Sequence, residues 1–162
     1  MMPFLFSIDL AVPSHWRNVE LVRTSVQNCF VAVFADVEGC NAIAMVTGEL
    51  VENAIKYGHW TGDAKSFRLQ VKGHVGSVTV EVENPIDPAN PRTDELRGCL
   101  GSIEVFPNAE AAYQAKLLEI AGRPSTFSGG LGLVRCAYEG NSKLRVEAIE
   151  NHAIRVIAEM TF

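Results

Sequence analysis

The stretch ELVENAIKY, residues 49–57, completes the strongest periodic pattern in the chain. In this stretch and just before it, apolar residues recur at intervals of three or four, which is the spacing of one buried helical face. These residues are Ile43, Val46, Leu50, Ala54 and Tyr57. We predict an α-helix that is capped by Asn41 and ends at Tyr57. Gly58 then stops it, as glycine commonly does after a helix.

A polar face lies beside the apolar one. Glu49, Asn53 and Lys56 follow one another on successive turns of the predicted helix. One interpretation is a solvated surface with a weak pairing between Glu49 and Lys56. The other is a site in which Glu49 is a general base, the amide oxygen of Asn53 binds Mg²⁺ and Lys56 faces phosphate oxygens.

The rest of the chain alternates strands and helices around this helix. Two hairpins and an early helix are predicted from period-2 and period-3.6 patterns and from turn residues. The predicted elements are a strand Phe4–Val12, a stop and helix cap at Pro13-Ser14, a helix from Trp16 to about Ala35, a turn at Glu38-Gly39, a hairpin Phe67–Glu83 turning near Gly73–Gly76, a helical stretch Ala109–Ala121, a short helix after Gly132 reaching Tyr138, and strands Lys143–Ile149 and Ala153–Phe162 turning at Glu150-Asn151.

This order predicts one domain over residues 1–162 with an α+β fold. We expect a two-layer sandwich in which helices cover one face of a mixed, mostly antiparallel sheet. Residues 85–128 lack sheet periodicity and are rich in proline at their start. An insertion of that length is typical of a functional lid or a mobile segment, and we predict a lid.

A glycine-rich segment precedes the short helix. Glycines before a helix leave backbone N–H groups free to approach an anion, so this segment is a candidate phosphate cradle. Glycines also occur in such turns for their backbone freedom alone. The candidate residues are Ser128, Gly129, Gly130, Leu131, Gly132 and Leu133.

Composition and charge exclude several classes of function. The net charge is −5 and the basic residues form no stripe, which argues against a nucleic-acid partner. The apolar start MMPFLFSIDLAV has no positive region or cleavage site and is interrupted by Asp9, so we expect a cytoplasmic protein that does not span a membrane. The four cysteines and four histidines are dispersed, and we assign no transition metal.

Two of these segments together resemble a known family. Residues 49–57 resemble the N-box, E-x-x-x-N-A, of the GHKL ATPases, and residues 130–133 resemble their later G-x-G-L box. Ala11-Val12-Pro13-Ser14 with Val22-Arg23 resembles the opening of the anti-sigma-factor serine-kinase branch. The resemblance implies an ATP and Mg²⁺ site in which Asn53 is the metal ligand, Glu49 activates a hydroxyl or water, Lys56 lies near the phosphates, and Gly130 and Gly132 close over them.

One motif of the family is altered. Where the resemblance implies D-x-G after the central strand, with its aspartate accepting a hydrogen bond from the adenine amino group, this chain has Asn84-Pro85-Ile86. Asn84 keeps an acceptor oxygen but has no charge, and a charged acceptor makes the stronger hydrogen bond. We therefore predict weakened or altered nucleotide binding.

The resemblance leaves three functions to weigh. The first is a regulatory serine/threonine kinase of a partner-switching system that phosphorylates an antagonist protein. The second is a non-catalytic module that holds a sigma factor or another regulator, with weak or no ATP binding. The third is the catalytic domain of a histidine kinase, which would need an acceptor histidine on a long helix, whereas His15 lies at a predicted strand-to-helix junction. A homodimer is compatible with each.

Overall fold

The computed structural model describes residues 6–34, 36–89, 93–122 and 131–162. Five strands form one sheet in the order β1-β2-β3-β5-β4, and each pair of neighbours is antiparallel. This confirms the predicted α+β sandwich. The elements are β1 (Phe6–Pro13), α1 (Arg17–Val33), α2 (Val37–Tyr57), β2 (Ser66–His74), β3 (Ser77–Pro85), α3 (Thr93–Glu104), α4 (Ala109–Gly122), α5 (Leu131–Tyr138), β4 (Ser142–Ile149) and β5 (Ala153–Thr161).

The core lies between the sheet and the helices. Every second residue of β2 and β3 is buried, as expected when one sheet face is covered. Helix α2 packs its predicted apolar face onto this side, and Leu50 and Val46 are almost completely buried. Apolar side chains of α3 also pack against the core, namely Leu96, Cys99, Leu100 and Ile103.

The opposite face of the sheet is charged. The strand register places ten charged side chains on it, five of each sign: Arg68, Lys72, Lys143, Arg145 and Arg155, and Asp9, Glu81, Glu83, Glu147 and Glu159. Several form ion pairs across strands, such as Arg68 with Asp9 at 2.7 Å and Arg145 with Glu159 at 2.5 Å. Ile157 lies among them and is nevertheless buried, because long charged side chains cover apolar surface with their stems.

Most strands and turns agree with the sequence prediction. The hairpin between β2 and β3 turns at Gly76, which has a φ of +76° that favours glycine. The hairpin between β4 and β5 turns at Glu150 and Asn151 as predicted. Helix α2 ends at Tyr57, and Gly58 follows it with a φ of −68°, so no left-handed cap is used. Glycine is needed there because the ring of Trp60 packs where a Cβ would lie.

Three predicted boundaries at helix starts were wrong. Ser14 does not cap α1, since the N-cap residue is Trp16 and makes no side-chain capping bond. Helix α2 begins at Val37 rather than after Asn41, and Asp36 is its N-cap. Gly39, which was predicted to form a turn with Glu38, is helical. A Cβ at this position would meet the Asp36 carboxylate and the ring of Phe162. The glycine therefore serves close packing.

The segment predicted as a lid contains two helices. Helix α4 confirms the helical stretch predicted from Ala109. Helix α3 was not predicted, because the prolines before it and the glycines within it, Gly98 and Gly101, weaken its helical pattern. Tertiary packing against the core compensates for that weak propensity.

Candidate functional site

Helix α2 directs Glu49 toward α5. Its neighbour Leu50 is held in the core, so the turn of the helix that carries Glu49 is fixed against the rest of the protein. The Nη1 of Arg135 donates to Oε1 of Glu49 at 3.2 Å, joining residues 86 positions apart. The Glu49 side chain is 19% exposed. The carboxylate is therefore partly shielded from water and paired with one cation.

Arg135 is itself held in place. Its Nε donates to Oε2 of Glu139 at 2.7 Å, and Glu139 is the first residue after the end of α5. The hydroxyl of Tyr113, on α4, donates to the other oxygen of Glu139 at 3.4 Å, and the rings of Tyr113 and Tyr138 lie 5.2 Å apart. A chain of polar contacts thus runs from α4 through α5 to Glu49.

The environment of Glu49 has opposing electrostatic effects. Partial burial, the larger effect, raises the pKa of Glu49 above its ordinary value, and the Glu52 carboxylate acts in the same direction. The Arg135 guanidinium opposes this shift without cancelling it, so the net direction for the pKa is upward. A raised pKa brings a carboxylate closer to the range in which a general base works at neutral pH.

Gly132 makes room for the Glu49 carboxylate. A Cβ on Gly132 would overlap Oε2 of Glu49. Glycine thus serves here as the residue that lets a side chain approach the backbone closely. Glu49 of the first predicted motif therefore lies against Gly132, which belongs to the second.

Asn53 and Asn84 line one small cavity. Asn53 is on α2 and Asn84 is on β3, where it faces the helices and is 3% exposed. The Nδ2 of Asn84 donates to the carbonyl of Pro85 at 3.1 Å. Leu96 of α3 lines the same cavity, whose volume is about 10 Å³. This volume is about what a single water molecule needs, and a nucleotide base is far larger.

The other predicted site residues have separate surroundings. Lys56 is exposed, and its Nζ lies 5.1 Å from the centre of the Tyr57 ring. Leu133 is buried in the core and Leu131 is partly buried, both near the start of α5. Ser128, Gly129 and Gly130 lie outside the described residues.

The donor atoms on α2 fit a hard cation. Glu49 and Asn53 present carboxylate and amide oxygens one helical turn apart, and Mg²⁺ prefers oxygen ligands. Within the described ranges, no group of three or more His, Cys, Asp or Glu residues is arranged to hold a metal ion. A divalent cation here would thus depend on ligands from a bound phosphate or from water, as is usual for Mg²⁺.

A larger cleft lies elsewhere. It has a volume of about 1030 Å³ and runs between the corner joining α3 to α4 and the start of β4. Phe106 and Leu144 are among its lining residues, whereas none of the described candidate site residues contributes to it.

Of the helices in the described part of the chain, none is long and apolar enough to cross a membrane.

Arg135 is the residue that sequence reasoning missed. It lies two residues beyond the predicted glycine segment and belongs to no motif of its own. The available signal was its position three residues after Gly132, which puts both on one side of a helix. That spacing does not identify Glu49 as its partner, because the contact depends on how α2 and α5 pack.

Comparison with known proteins gives a structural likeness only. No family model matches the chain, and no curated protein matches its sequence. Among solved structures, the chain is similar to one in the crystal structure of the SiaB–SiaC complex from Pseudomonas aeruginosa, with a TM-score of 0.69 and 14% sequence identity. The match covers 96% of this chain and 89% of that one. At this identity the likeness concerns the fold.

Proposed function

We propose that this protein is a regulatory, ATP-dependent serine/threonine kinase that acts on a partner protein. Its site would consist of Glu49 and Asn53 on α2, Gly132 on α5 and Asn84 on β3. The observation that carries the proposal is the contact between Glu49 and Gly132, which brings the two predicted motifs together.

Each residue has a role in this proposal. Glu49 accepts the proton of the substrate hydroxyl, supported by its partial burial and raised pKa. Asn53 supplies an amide oxygen to Mg²⁺, which neutralises phosphate charge when it is bound. Asn84 offers an acceptor to the adenine amino group. Lys56 is exposed near the same helix end, where its long side chain can reach a phosphate.

Nucleotide entry requires α3 to move. Leu96 lines the same cavity as Asn53 and Asn84, and that cavity is about 10 Å³. We propose that α3 and α4 are the lid expected from the sequence, and that ATP binds when α3 withdraws Leu96. Local movement of this kind is common for elements that cover ligand sites.

The regulatory part of the proposal concerns a protein partner. The structurally similar chain was crystallised in a complex named for two proteins, SiaB and SiaC. We propose that this chain likewise binds another protein, such as an antagonist phosphoprotein or a sigma factor. Phosphorylation of a serine or threonine on that partner would add charge and change its binding.

Titration calorimetry tests the nucleotide site. We expect saturable heat when ATP and Mg²⁺ are added to the protein, and its loss in Asn53→Ala. Asn151→Ala, in an exposed turn far along the chain, is the matched control and should bind as wild type does. Absence of heat at millimolar ATP would overturn the proposed kinase.

A second function is favoured by one observation. The small volume of the cavity beside Asn84 suits a non-catalytic module that keeps the fold and binds a regulator without nucleotide. In that case calorimetry would give no heat with ATP, and the partner would co-purify in equal amount whether or not nucleotide is present.

A further inference from the structure

We propose that Arg135 is a positioning residue that holds Glu49 in the orientation needed for phosphoryl transfer. This inference rests on the proposed function and concerns the same site. It assigns a role to a residue that lies outside both predicted motifs.

The argument begins with the two oxygens of Glu49. Oε1 accepts a hydrogen bond from Arg135 Nη1 at 3.2 Å. Oε2 lies against Gly132, where a Cβ would overlap it. The two oxygens are therefore fixed differently: one is held by a charged donor, and the other lies against Gly132.

Both contacts come from one helix. Gly132 and Arg135 are three residues apart on α5 and so lie on the same side of it. Together they form a notch into which the Glu49 carboxylate fits. A glutamate side chain has three rotatable bonds and would otherwise sample many orientations, so a notch with a fixed donor reduces that freedom.

Arg135 is fixed on its other side as well. The Nε of Arg135 donates to Glu139 at 2.7 Å, and Glu139 accepts from Tyr113 at 3.4 Å. An arginine held by two carboxylates has little rotational freedom, because its guanidinium is planar and its donors point in set directions. Arg135 can therefore orient Glu49 and not merely neutralise it.

The pairing between Arg135 and Glu49 involves one carboxylate oxygen and not both. Arg135 binds only Oε1 of Glu49, in a single contact. Among the described residues, no cation pairs with Oε2, which leaves one oxygen to accept a proton. A bidentate pairing would have occupied both oxygens and lowered basicity further. The single contact thus orients Glu49 and leaves Oε2 able to accept a proton.

The test uses ATP hydrolysis with Mg²⁺, in which water replaces the unidentified protein substrate. We expect Arg135→Ala to lower kcat by about tenfold or more while the KM for ATP changes by less than about twofold, because Glu49 is misplaced but nucleotide contacts remain. Arg135→Lys should recover part of kcat. Arg145→Ala removes an arginine of similar exposure from the open sheet face and should leave both constants unchanged.

A second measurement separates this inference from the proposed function. Melting temperatures of Glu49→Ala, Arg135→Ala and the double variant form a cycle that needs no activity. We expect the double variant to lose less than the sum of the single losses. Additive losses would overturn the positioning role, as would an unchanged kcat in Arg135→Ala. If wild type hydrolyses no ATP, the proposed kinase fails, and the cycle still decides whether Arg135 holds Glu49.

Discussion

The two ends of the proposed site on α2, one at Glu49 and the other at Asn53, are held in different ways. At Glu49 the contacts are charged, and the carboxylate is fixed by Arg135 against Gly132. At Asn53 the cavity lining is mainly apolar, and Leu96 of α3 and Asn84 of β3 belong to it. Under the proposed function, one helix therefore carries an end that is already ordered for phosphoryl transfer and an end that would have to open to admit ATP. In that proposal, the Glu49 end orients the reacting group, and the Asn53 end controls access to the site.

The largest effect is expected from Asn84→Asp, which introduces the charge that the resemblance to the GHKL ATPases implies at this position. Asn84 is 3% exposed and its Nδ2 donates to Pro85, so a carboxylate there would be buried and would lose that hydrogen bond. We expect a loss of about 2–3 kcal/mol in the free energy of unfolding at pH 7. Urea unfolding measures this loss.

The pH dependence of that loss has a definite sign. Burial raises the pKa of a carboxyl above its unfolded value of about 4, so the penalty is present at neutral pH and fades as pH falls through the folded pKa. Asn151→Asp, in an exposed turn, should change stability by less than about 0.5 kcal/mol. Equal stability of Asn84→Asp and wild type would show that this end of the site is already open to water.

A smaller effect is expected from Leu96→Ala, which acts on the closed end alone. Leu96 is partly buried against the core, and its truncation should cost about 1–2 kcal/mol of stability, less than for a fully buried leucine. Because the same change enlarges the cavity at Asn53, ATP affinity should rise. Calorimetry with ATP should show this higher affinity for Leu96→Ala and not for the control Leu118→Ala, since Leu118 is 76% exposed. Unchanged affinity would mean that Leu96 does not limit entry.

The smallest effect is expected at the charged end. Folding raises the pKa of Glu49, so its protonated form is favoured in the native state. Wild type should therefore lose stability as pH rises through the folded pKa, whereas Glu49→Gln has no charge to bury and should be more stable at pH 7 by up to about 1 kcal/mol. This advantage should vanish below the unfolded pKa of about 4.3. A less stable Gln variant at pH 7 would show that pairing with Arg135 outweighs burial.

Much of the fold could be predicted from local patterns. The apolar face of α2 and the alternation of β3 each depend on residues within one element, and both are buried as expected. Helix α3 could not be predicted in this way, because its glycines weaken the pattern and contacts with distant residues stabilise it. The early start of α2 was missed because Gly39 has a packing role that involves Phe162, near the other end of the sequence.

The site could be predicted only in part. Glu49 and Gly132 were chosen separately, and the structure brings them into contact. Asn53 and Asn84 likewise line one cavity. The pairing with Arg135 could not be derived, since it depends on the angle at which α5 crosses α2. The closure by Leu96 was equally hidden, because a pattern of residues does not report how close two helices come.

The balanced charges on the open face of the sheet have a consequence for encounters in solution. That face carries equal numbers of acidic and basic side chains, so the net charge of −5 comes from residues outside it. The electrostatic field of the protein is therefore lopsided, and a cationic surface diffusing nearby is drawn away from the sheet. Such steering weakens as ionic strength rises and the Debye length shortens. The association rate of a cationic partner that approaches from the helical side should therefore fall as salt is added. Its collision rate with the sheet face should hardly change.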